Sequence, residues 1–293
     1  MTILRQSSKN MVKSRQHRLV RNLFMTGLYI SFVCSGCAPS YPKDKLTETL
    51  INVCKKEYKV EIQAKLVGKT IVVFVPLDEL FDLKLDISPE AIEKIEDVIL
   101  TTSRALFSTD AEVDFYVIIA ADVKTTAAEV FLIRYMDDVY KFMHGWINRE
   151  DYGRRILWQI NFNPKLLKDS FFDFDVEEIT LPGFLAQQIA QRANKIFASS
   201  VVHKIKINSE FDPQTQRFFF SVVSADNTRF QKIYLPIIAN VADKVLAEYK
   251  FEDFSEIIIR NELLRNSLVI TKNDKEKYRK VDIDALLTLP FFN

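Results

Sequence analysis

Residues 115–121 read FYVIIAA, seven apolar residues with no charged or turn-forming residue among them. A strand that exposes one face to water alternates apolar and polar residues, whereas a strand covered on both faces is apolar throughout. We therefore expect this stretch to be a central, fully covered strand of a sheet, paired with the strand that follows at 130–136.

Outward from this strand, the same order of helix, strand and strand occurs four times. Helix starts are indicated by Asp44, by Ser88 with Pro89, by Thr180 with Pro182, and by Pro236, since such residues favour the first turn of a helix. The strand pairs are predicted at 60–66 with 71–75, 115–121 with 130–136, 204–211 with 217–223, and 256–261 with 268–271.

This repeat predicts an α+β fold of two tandem two-layer domains. Each domain is expected to be an α-β-β-α-β-β repeat with a four-stranded antiparallel sheet packed under helices. The alternative is one continuous sheet built from both halves. The predicted segments are a signal peptide at 1–36, a lipidated tether at 37–43, a first α+β domain at 44–158, a connector at 159–179 and a second α+β domain at 180–293.

The first 37 residues have a composition of their own. Six basic residues and no acidic one precede the apolar run LFMTGLYISFV at 23–33, and the residues CSG and Cys37 follow it. A basic start, a short apolar run and small residues before a cleavage point are typical of a secretory signal peptide. The run is too short to span a bilayer, which takes about 20 apolar residues.

Ser35 and Gly36 directly before Cys37 resemble the lipobox of bacterial lipoproteins, although Cys34 stands where that family prefers leucine. The resemblance covers these 37 residues alone. It implies that Cys37 carries covalent lipid, palmitate among its acyl chains, and becomes the first residue of the mature protein. Ala38 in place of aspartate implies the outer membrane facing the periplasm of the cell envelope, if the host is Gram-negative.

The mature chain from Cys37 onward holds 34 basic and 39 acidic residues, a net charge of −5. A protein that binds nucleic acid through phosphates needs a basic surface that releases counterions. We therefore predict no nucleic-acid partner. Of the three cysteines, Cys34 is removed with the predicted signal peptide and Cys37 carries the lipid, so Cys54 is the remaining thiol. Because Cys54 falls on the apolar stripe of the first helix, we interpret it as a small buried residue.

Motifs for metal or hydrolase chemistry are absent from the sequence, so we predict no catalytic residue, no metal site and no cofactor beyond the covalent lipid. Tyr135-Met136-Asp137-Asp138 is similar to the YMDD motif of reverse transcriptases. In that family the paired aspartates hold Mg²⁺, but no third carboxylate is framed by a motif here. We interpret Asp137 or Asp138 as the cap of the following helix, and we expect Asp138→Asn to change neither the fold nor any divalent-metal affinity.

The segment WINREDYGRRILW, residues 146–158, is the sequence candidate for a binding site because it concentrates tryptophan, tyrosine and arginine, the residues that dominate binding hot spots. We expect Trp158 to be buried and Trp146 to be exposed. A helix that closes the core and a membrane-contacting surface remain the alternatives. The candidate partner-binding residues are Trp146, Arg149, Tyr152, Arg154 and Arg155.

These features together predict a membrane-anchored envelope lipoprotein that acts as a non-catalytic binding, scaffold or assembly module. One alternative is a carrier of lipid or another hydrophobe, with a cavity lined by Phe115, Phe131 and Ile95. The other is a periplasmic enzyme that uses clustered carboxylates. The sequence leaves the partner and the oligomeric state open.

We predict that Cys37→Ser abolishes the incorporation of radiolabelled palmitate and leaves an unprocessed precursor or a released protein, because the lipid is attached through that sulfur. Cys34→Ser is the matched control and should retain the label, since Cys34 leaves with the signal peptide. Labelling of Cys37→Ser at the level of the unmodified chain would contradict the lipobox interpretation.

Overall fold

The computed structural model describes residues 41–82, 84–167, 176–198 and 205–274, together with 278, 281 and 283. The predicted signal peptide and Cys37 lie outside the described residues. Helices of seven or more residues are α1 (Leu46–Val53), α2 (Pro89–Phe107), α3 (Met136–Met143), α4 (Arg149–Arg155), α5 (Leu181–Ala198) and α6 (Leu235–Glu248). The strands are β1 (Gln63–Val67), β2 (Thr70–Leu77), β3 (Phe115–Asp122), β4 (Ala128–Tyr135), β5 (Leu157–Phe162), β6 (Ile207–Asp212), β7 (Arg217–Val222), β8 (Glu256–Asn261) and β9 (Asn266–Thr271).

The strands form two mixed sheets, with the orders β1-β2-β3-β4-β5 and β6-β7-β8-β9. The prediction of antiparallel sheets is wrong for the central pair of each sheet, because β2 pairs with β3, and β7 with β8, in parallel. A helix lies between the two strands in each case, and such a crossover returns the chain in its original direction. The outer pairs are antiparallel hairpins, as expected.

The α+β class and the repeat are confirmed, since both halves have the order helix, strand, strand, helix, strand, strand and the same pairing of four strands. The first sheet has one strand more than expected. Residues 157–162 form β5, which pairs with β4. The first four residues of the predicted connector, 159–162, therefore belong to the first sheet. Residues 168–175 of the predicted connector lie outside the described residues.

Two apolar cores lie on opposite faces of the first sheet. One core joins α1 and α2 to residues such as Tyr116 and Ile118 of β3. The other joins Phe115 and Val117 of the same strand to α5, α6 and the inner face of the second sheet. All eight residues of β3 are buried, which confirms that this strand is covered on both faces.

The structure is therefore layered as α1 and α2, the first sheet, α5 and α6, and the second sheet. The two predicted units of a sheet packed against helices are present, and the helices of the second unit also cover the first sheet. The alternative of one continuous sheet is not what the strand order gives. Burial of apolar surface is the main force that stabilises a fold. Because α5 and α6 cover both sheets, neither half has a complete core without them.

Polar contacts hold the start of the second half against the β1–β2 hairpin. The backbone amide of Lys69 donates to Glu178 Oε1 at 2.8 Å, and the amide of Ile179 donates to Thr70 Oγ1 at 2.9 Å. Gly68 in this hairpin has a φ of 56°, and a Cβ at that position would overlap the Glu178 carboxylate. Glycine is thus required here both by the left-handed backbone and by the close approach of the second half.

Among the described residues, no helix has both the length and the apolar composition that crossing a bilayer requires.

We predict that Phe184→Ala lowers the free energy of unfolding by about 3–5 kcal/mol, because it removes a fully buried ring from the shared layer. The Phe184 ring lies 5.2 Å from Phe115 and 6.2 Å from Tyr249, so it joins the two halves. Hydrogen exchange should therefore accelerate in β3 and in β8 together. Leu263→Ala, at an exposed position, is the control that should change neither. Faster exchange confined to β8 would show that the halves are stabilised separately.

Candidate functional site

The segment 146–158 is helical only in its middle. The chain leaves the preceding helix just before this segment, since α3 ends at Met143 and Gly145 has a φ of 71°. The chain re-enters a helix at α4, where the Asn148 side chain accepts a hydrogen bond from the Asp151 amide at 2.8 Å. After α4 the chain extends into β5, so Trp158 is a strand residue at the edge of the sheet.

Of the five candidate residues, Trp146, Arg149 and Arg154 are exposed. Trp146 has 66% of its surface exposed. Arg154 forms ion pairs within its own helix, with Asp151 and Glu150. These three residues remain available to a partner.

Tyr152 and Arg155 are not available, which corrects the candidate set. The Tyr152 ring stacks on Phe142 at 4.4 Å, and its hydroxyl accepts a hydrogen bond from Arg134 Nη1 at 3.1 Å. Burial raises the pKa of the Tyr152 hydroxyl far above its ordinary value. Arg155 points into the interior, toward the second half of the chain.

Arg155 belongs to a buried polar network between the halves. Its Nη1 donates to Asp138 Oδ1 at 2.8 Å, and Tyr249 donates its hydroxyl proton to Asp138 Oδ2 at 2.5 Å. The Arg155 guanidinium also lies 5.1 Å from the centre of the Tyr249 ring. Glu248, next to Tyr249, accepts from Arg192 at 2.9 and 3.0 Å. The network therefore connects α3 and α4 with α5 and the end of α6.

The two aspartates of the YMDD-like stretch have different roles, and neither caps α3. The helix begins at Met136 after Tyr135, and no side chain caps it, so the expected cap is wrong. Asp137 is half exposed and pairs with Lys141 one turn later at 2.5 Å. Asp138 is 2% exposed, and burial raises the pKa of its carboxyl while Tyr249 and Arg155 oppose that rise. The expectation that Asp138→Asn leaves the fold unchanged therefore no longer holds.

An exposed aromatic surface surrounds Trp146, and we call it the aromatic patch. Its members, brought together from the end of α2, from α3 and from the loop after α3, are Phe107, Tyr140, Met143, His144 and Trp146. The Tyr140 ring lies 4.0 Å from His144, 5.6 Å from Trp146 and 6.5 Å from Phe107. The candidate residues predicted from the sequence did not include Phe107 or Tyr140. The spacing of Tyr140 and Met143, one helical turn apart, is a sequence signal that both lie on one face of α3.

A second exposed apolar surface runs along β5, and we call it the β5 stripe. Trp158, Ile160 and Phe162 alternate along the strand and so share one face. Trp158 is 55% and Phe162 is 72% exposed, which corrects the expectation that Trp158 is buried. The outer edge of the strand is partly covered, because Gln191 of α5 accepts from the Trp158 amide at 3.0 Å.

The three residues suggested for a carrier cavity do not meet. Phe115 and Phe131 pack in the core between the first sheet and α5, whereas Ile95 packs in the core under α1 and α2. The Phe115 ring is in contact with the rings of Tyr135 and Phe184, at 5.0 and 5.2 Å. The sheet thus separates the members of the proposed lining.

Among the described residues, no three histidine, cysteine, aspartate or glutamate side chains lie close enough together to hold a metal ion. Cys54 is buried, and burial raises the pKa of its thiol to about 11. A thiol with so high a pKa is protonated at neutral pH and is a poor nucleophile.

We predict that Asp138→Asn lowers the free energy of unfolding by about 3 kcal/mol, since it leaves the buried Arg155 charge with only the more distant Glu248 carboxylate, at 3.8 Å. Asp137→Asn is the matched control and should cost about 0–1 kcal/mol, because its pair with Lys141 is partly solvated. Urea unfolding followed by circular dichroism measures both. An equal effect of the two substitutions would show that the buried pair contributes no more than the exposed one.

Comparisons with known proteins identify no family. No family model matches the chain, and no curated protein matches it. Among solved structures, the crystal structure of the sex pheromone staph-cAM373 precursor is 12% identical, with 80% of each chain covered and a TM-score of 0.21. A TM-score this low does not establish a shared fold, so the chain's function is inferred from its own residues.

Proposed function

We propose that this chain is a lipid-anchored envelope protein that binds a protein partner through the β5 stripe and catalyses no reaction. The anchor is inferred from the signal peptide and the lipobox-like residues before Cys37. The observation that carries the binding role is an edge strand that presents three large apolar side chains to solvent on one face. In a Gram-negative host the protein would face the periplasm from the outer membrane.

The composition of β5 supports this role. Edge strands of natural proteins are commonly protected by charged residues, because an open edge can pair with another strand. Residues 157–162 read LWQINF and contain no charge. The other uncharged edge strand, β9, has a single strongly exposed apolar residue, Val269. The concentration of apolar surface is therefore specific to β5.

The chemistry of β5 also defines its partner. An extended peptide can add to a sheet edge, with main-chain hydrogen bonds giving affinity and alternate side chains giving specificity. Gln191 of α5 already accepts the Trp158 amide, so the accessible part of the edge is its end, at Ile160 and Phe162. The partner is expected to offer an extended segment with apolar side chains on one face.

Two of the buried carboxylates, Asp138 and Asp122, support a non-catalytic role because both are used by the fold. Asp138 is part of the pair with Arg155, and Asp122 organises the β3–β4 turn. Asp122 Oδ1 accepts from the Thr125 amide at 2.7 Å, and its Oδ2 accepts from Thr126 Oγ1 at 2.9 Å. Burial by itself raises the pKa of Asp122, but the hydrogen bonds from Thr125 and Thr126 lower it to about 2.

The test places a photo-crosslinking phenylalanine analogue at position 160 or at position 269 of the full chain in its host. Ile160 and Val269 are almost equally exposed and both lie on edge strands, so position 269 is a matched control. We expect a crosslinked protein of one defined mass from position 160 alone.

A second pair of variants, Ile160→Asp and Val269→Asp, tests the same surface without a crosslinker. Ile160→Asp should abolish co-purification of the identified partner, while both variants keep the same urea unfolding midpoint. Equal crosslinking from positions 160 and 269, or retention of the partner by Ile160→Asp, would refute the β5 stripe as the binding surface.

A further inference from the structure

The aromatic patch lies beside the point where the chain enters the described structure. The Tyr41 amide donates to the Ser108 carbonyl at 3.2 Å, and Tyr41 pairs with Thr109 in a parallel bridge. Ser108 directly follows Phe107, the last residue of α2 and a member of the patch. The next contact along the chain, from the Lys43 amide to Asp110 Oδ1 at 2.6 Å, holds this entry point in place.

The lipid-bearing position is close to the patch along the chain. Cys37 precedes Tyr41 by four residues, and a fully extended chain of four residues spans at most roughly 14 Å. Acyl chains on Cys37 would therefore hold Tyr41 within that distance of the membrane surface, and Phe107 lies close to Tyr41 because it directly precedes Ser108. The patch is the exposed apolar surface that adjoins this entry point.

We propose that the aromatic patch is a second membrane contact, which rests on the lipid bilayer next to the acyl chains of Cys37. This inference relies on the lipid anchor proposed above and adds the orientation in which the protein is held. Tryptophan and tyrosine are enriched at the boundary between headgroups and acyl chains, because each has an apolar ring and a polar group. Trp146 and Tyr140 have these properties, and the exposed Met143 beside them is purely apolar.

Charged residues at the rim of the patch fit a lipid surface. Arg104 is exposed one helical turn before Phe107, and Arg149 is exposed three residues after Trp146. Of the acidic residues near the patch in the sequence, Asp137 pairs with Lys141 and Glu150 with Arg154, while the exposed Asp110 accepts from the Lys43 amide. Exposed arginines beside an apolar surface favour the phosphate groups of anionic lipids.

The anchor lets a small patch determine orientation. Attachment through Cys37 makes the contact between patch and membrane intramolecular, at a high effective concentration, so weak contacts are sufficient. Without the patch, the tether alone would let the protein rotate above the membrane. With the patch inserted, Trp146 should lie about 5–10 Å into the boundary between headgroups and acyl chains.

The two tryptophans provide an internal comparison, because both are exposed and they lie in different surfaces. Trp158→Phe leaves Trp146 in the aromatic patch as the single tryptophan, and Trp146→Phe leaves Trp158 in the β5 stripe. Each mature lipoprotein is reconstituted into vesicles of phosphatidylethanolamine and phosphatidylglycerol, with or without lipids brominated along the acyl chain. In solution, acrylamide should quench both tryptophans to a similar extent, since both are exposed.

In vesicles we expect brominated lipids to quench Trp146 by at least about threefold more than Trp158, and acrylamide to quench Trp146 less than it does in solution. Equal quenching of the two tryptophans by bromine would overturn the proposal. Stronger quenching of Trp158 would also overturn it, because the β5 stripe would then face the membrane.

The mass of the N-terminal peptide separates this proposal from the anchor on which it rests. If that mass shows no lipid on Cys37, the proposed lipid anchor is refuted. The patch can then be tested separately, with a chain that begins at Cys37 and is coupled through the Cys37 thiol to a maleimide-bearing lipid. Cys54 should not react because it is buried with a raised pKa. This chain retains every described contact, since the described structure begins at Tyr41. The bromine comparison then tests the patch by itself.

Discussion

The apolar contact between the first sheet and the helices α5 and α6 is the constraint on which the rest of the structure depends. The first sheet is apolar on both faces, and α1 and α2 cover only one of them. The other face is closed by helices that follow β5 in the sequence and that also cover the second sheet. Because exposure of either face would be unfavourable in water, the two halves stabilise one another.

A buried ion pair of the first half, Asp138 with Arg155, is joined to the second half by the hydroxyl of Tyr249. Burial of two charges costs several kcal/mol for each ion, and this cost is offset only when geometry and further hydrogen bonds are good. Asp138 has both, with Arg155 on one oxygen and Tyr249 on the other. Apolar contacts alone would tolerate small shifts of α5 and α6 against the sheet. The directional bonds of Asp138 select one arrangement, at the position where α3, α4 and the end of α6 converge.

The same arrangement explains why the aromatic patch and the β5 stripe are exposed. α4 is held inward by Tyr152 and Arg155, which leaves the loop before it, with Trp146, and the strand after it, with Trp158, at the surface. The loop joins Phe107 and Tyr140 in the aromatic patch, near the N-terminal entry of the chain. The strand becomes one of the two edges of the first sheet, partly covered by Gln191. The aromatic patch and the β5 stripe therefore include the residues on either side of α4 in the sequence.

The sequence alone determined the elements whose signals are local. α5 begins at Leu181, at the helix start that Thr180 and Pro182 indicate. The covered strand β3 follows from its unbroken apolar run. The order of helices and strands and the α+β class follow from periodicity in the same way. The proposal that Cys37, outside the described residues, carries lipid rests on its local sequence alone.

The tertiary structure decided the features that depend on distant partners. Asp138 and Tyr249 are 111 residues apart, and nothing near Asp138 in the sequence predicts its burial. The parallel direction of β2 and β3 follows from the path of α2 across the sheet, which hydrophobic periodicity does not encode. Trp158 is exposed because β5 lies at the edge of its sheet, outside the core that α1 and α2 cover. Residue type and spacing fix local conformation, but burial depends on which elements pack together, and that is settled only when the whole chain has folded.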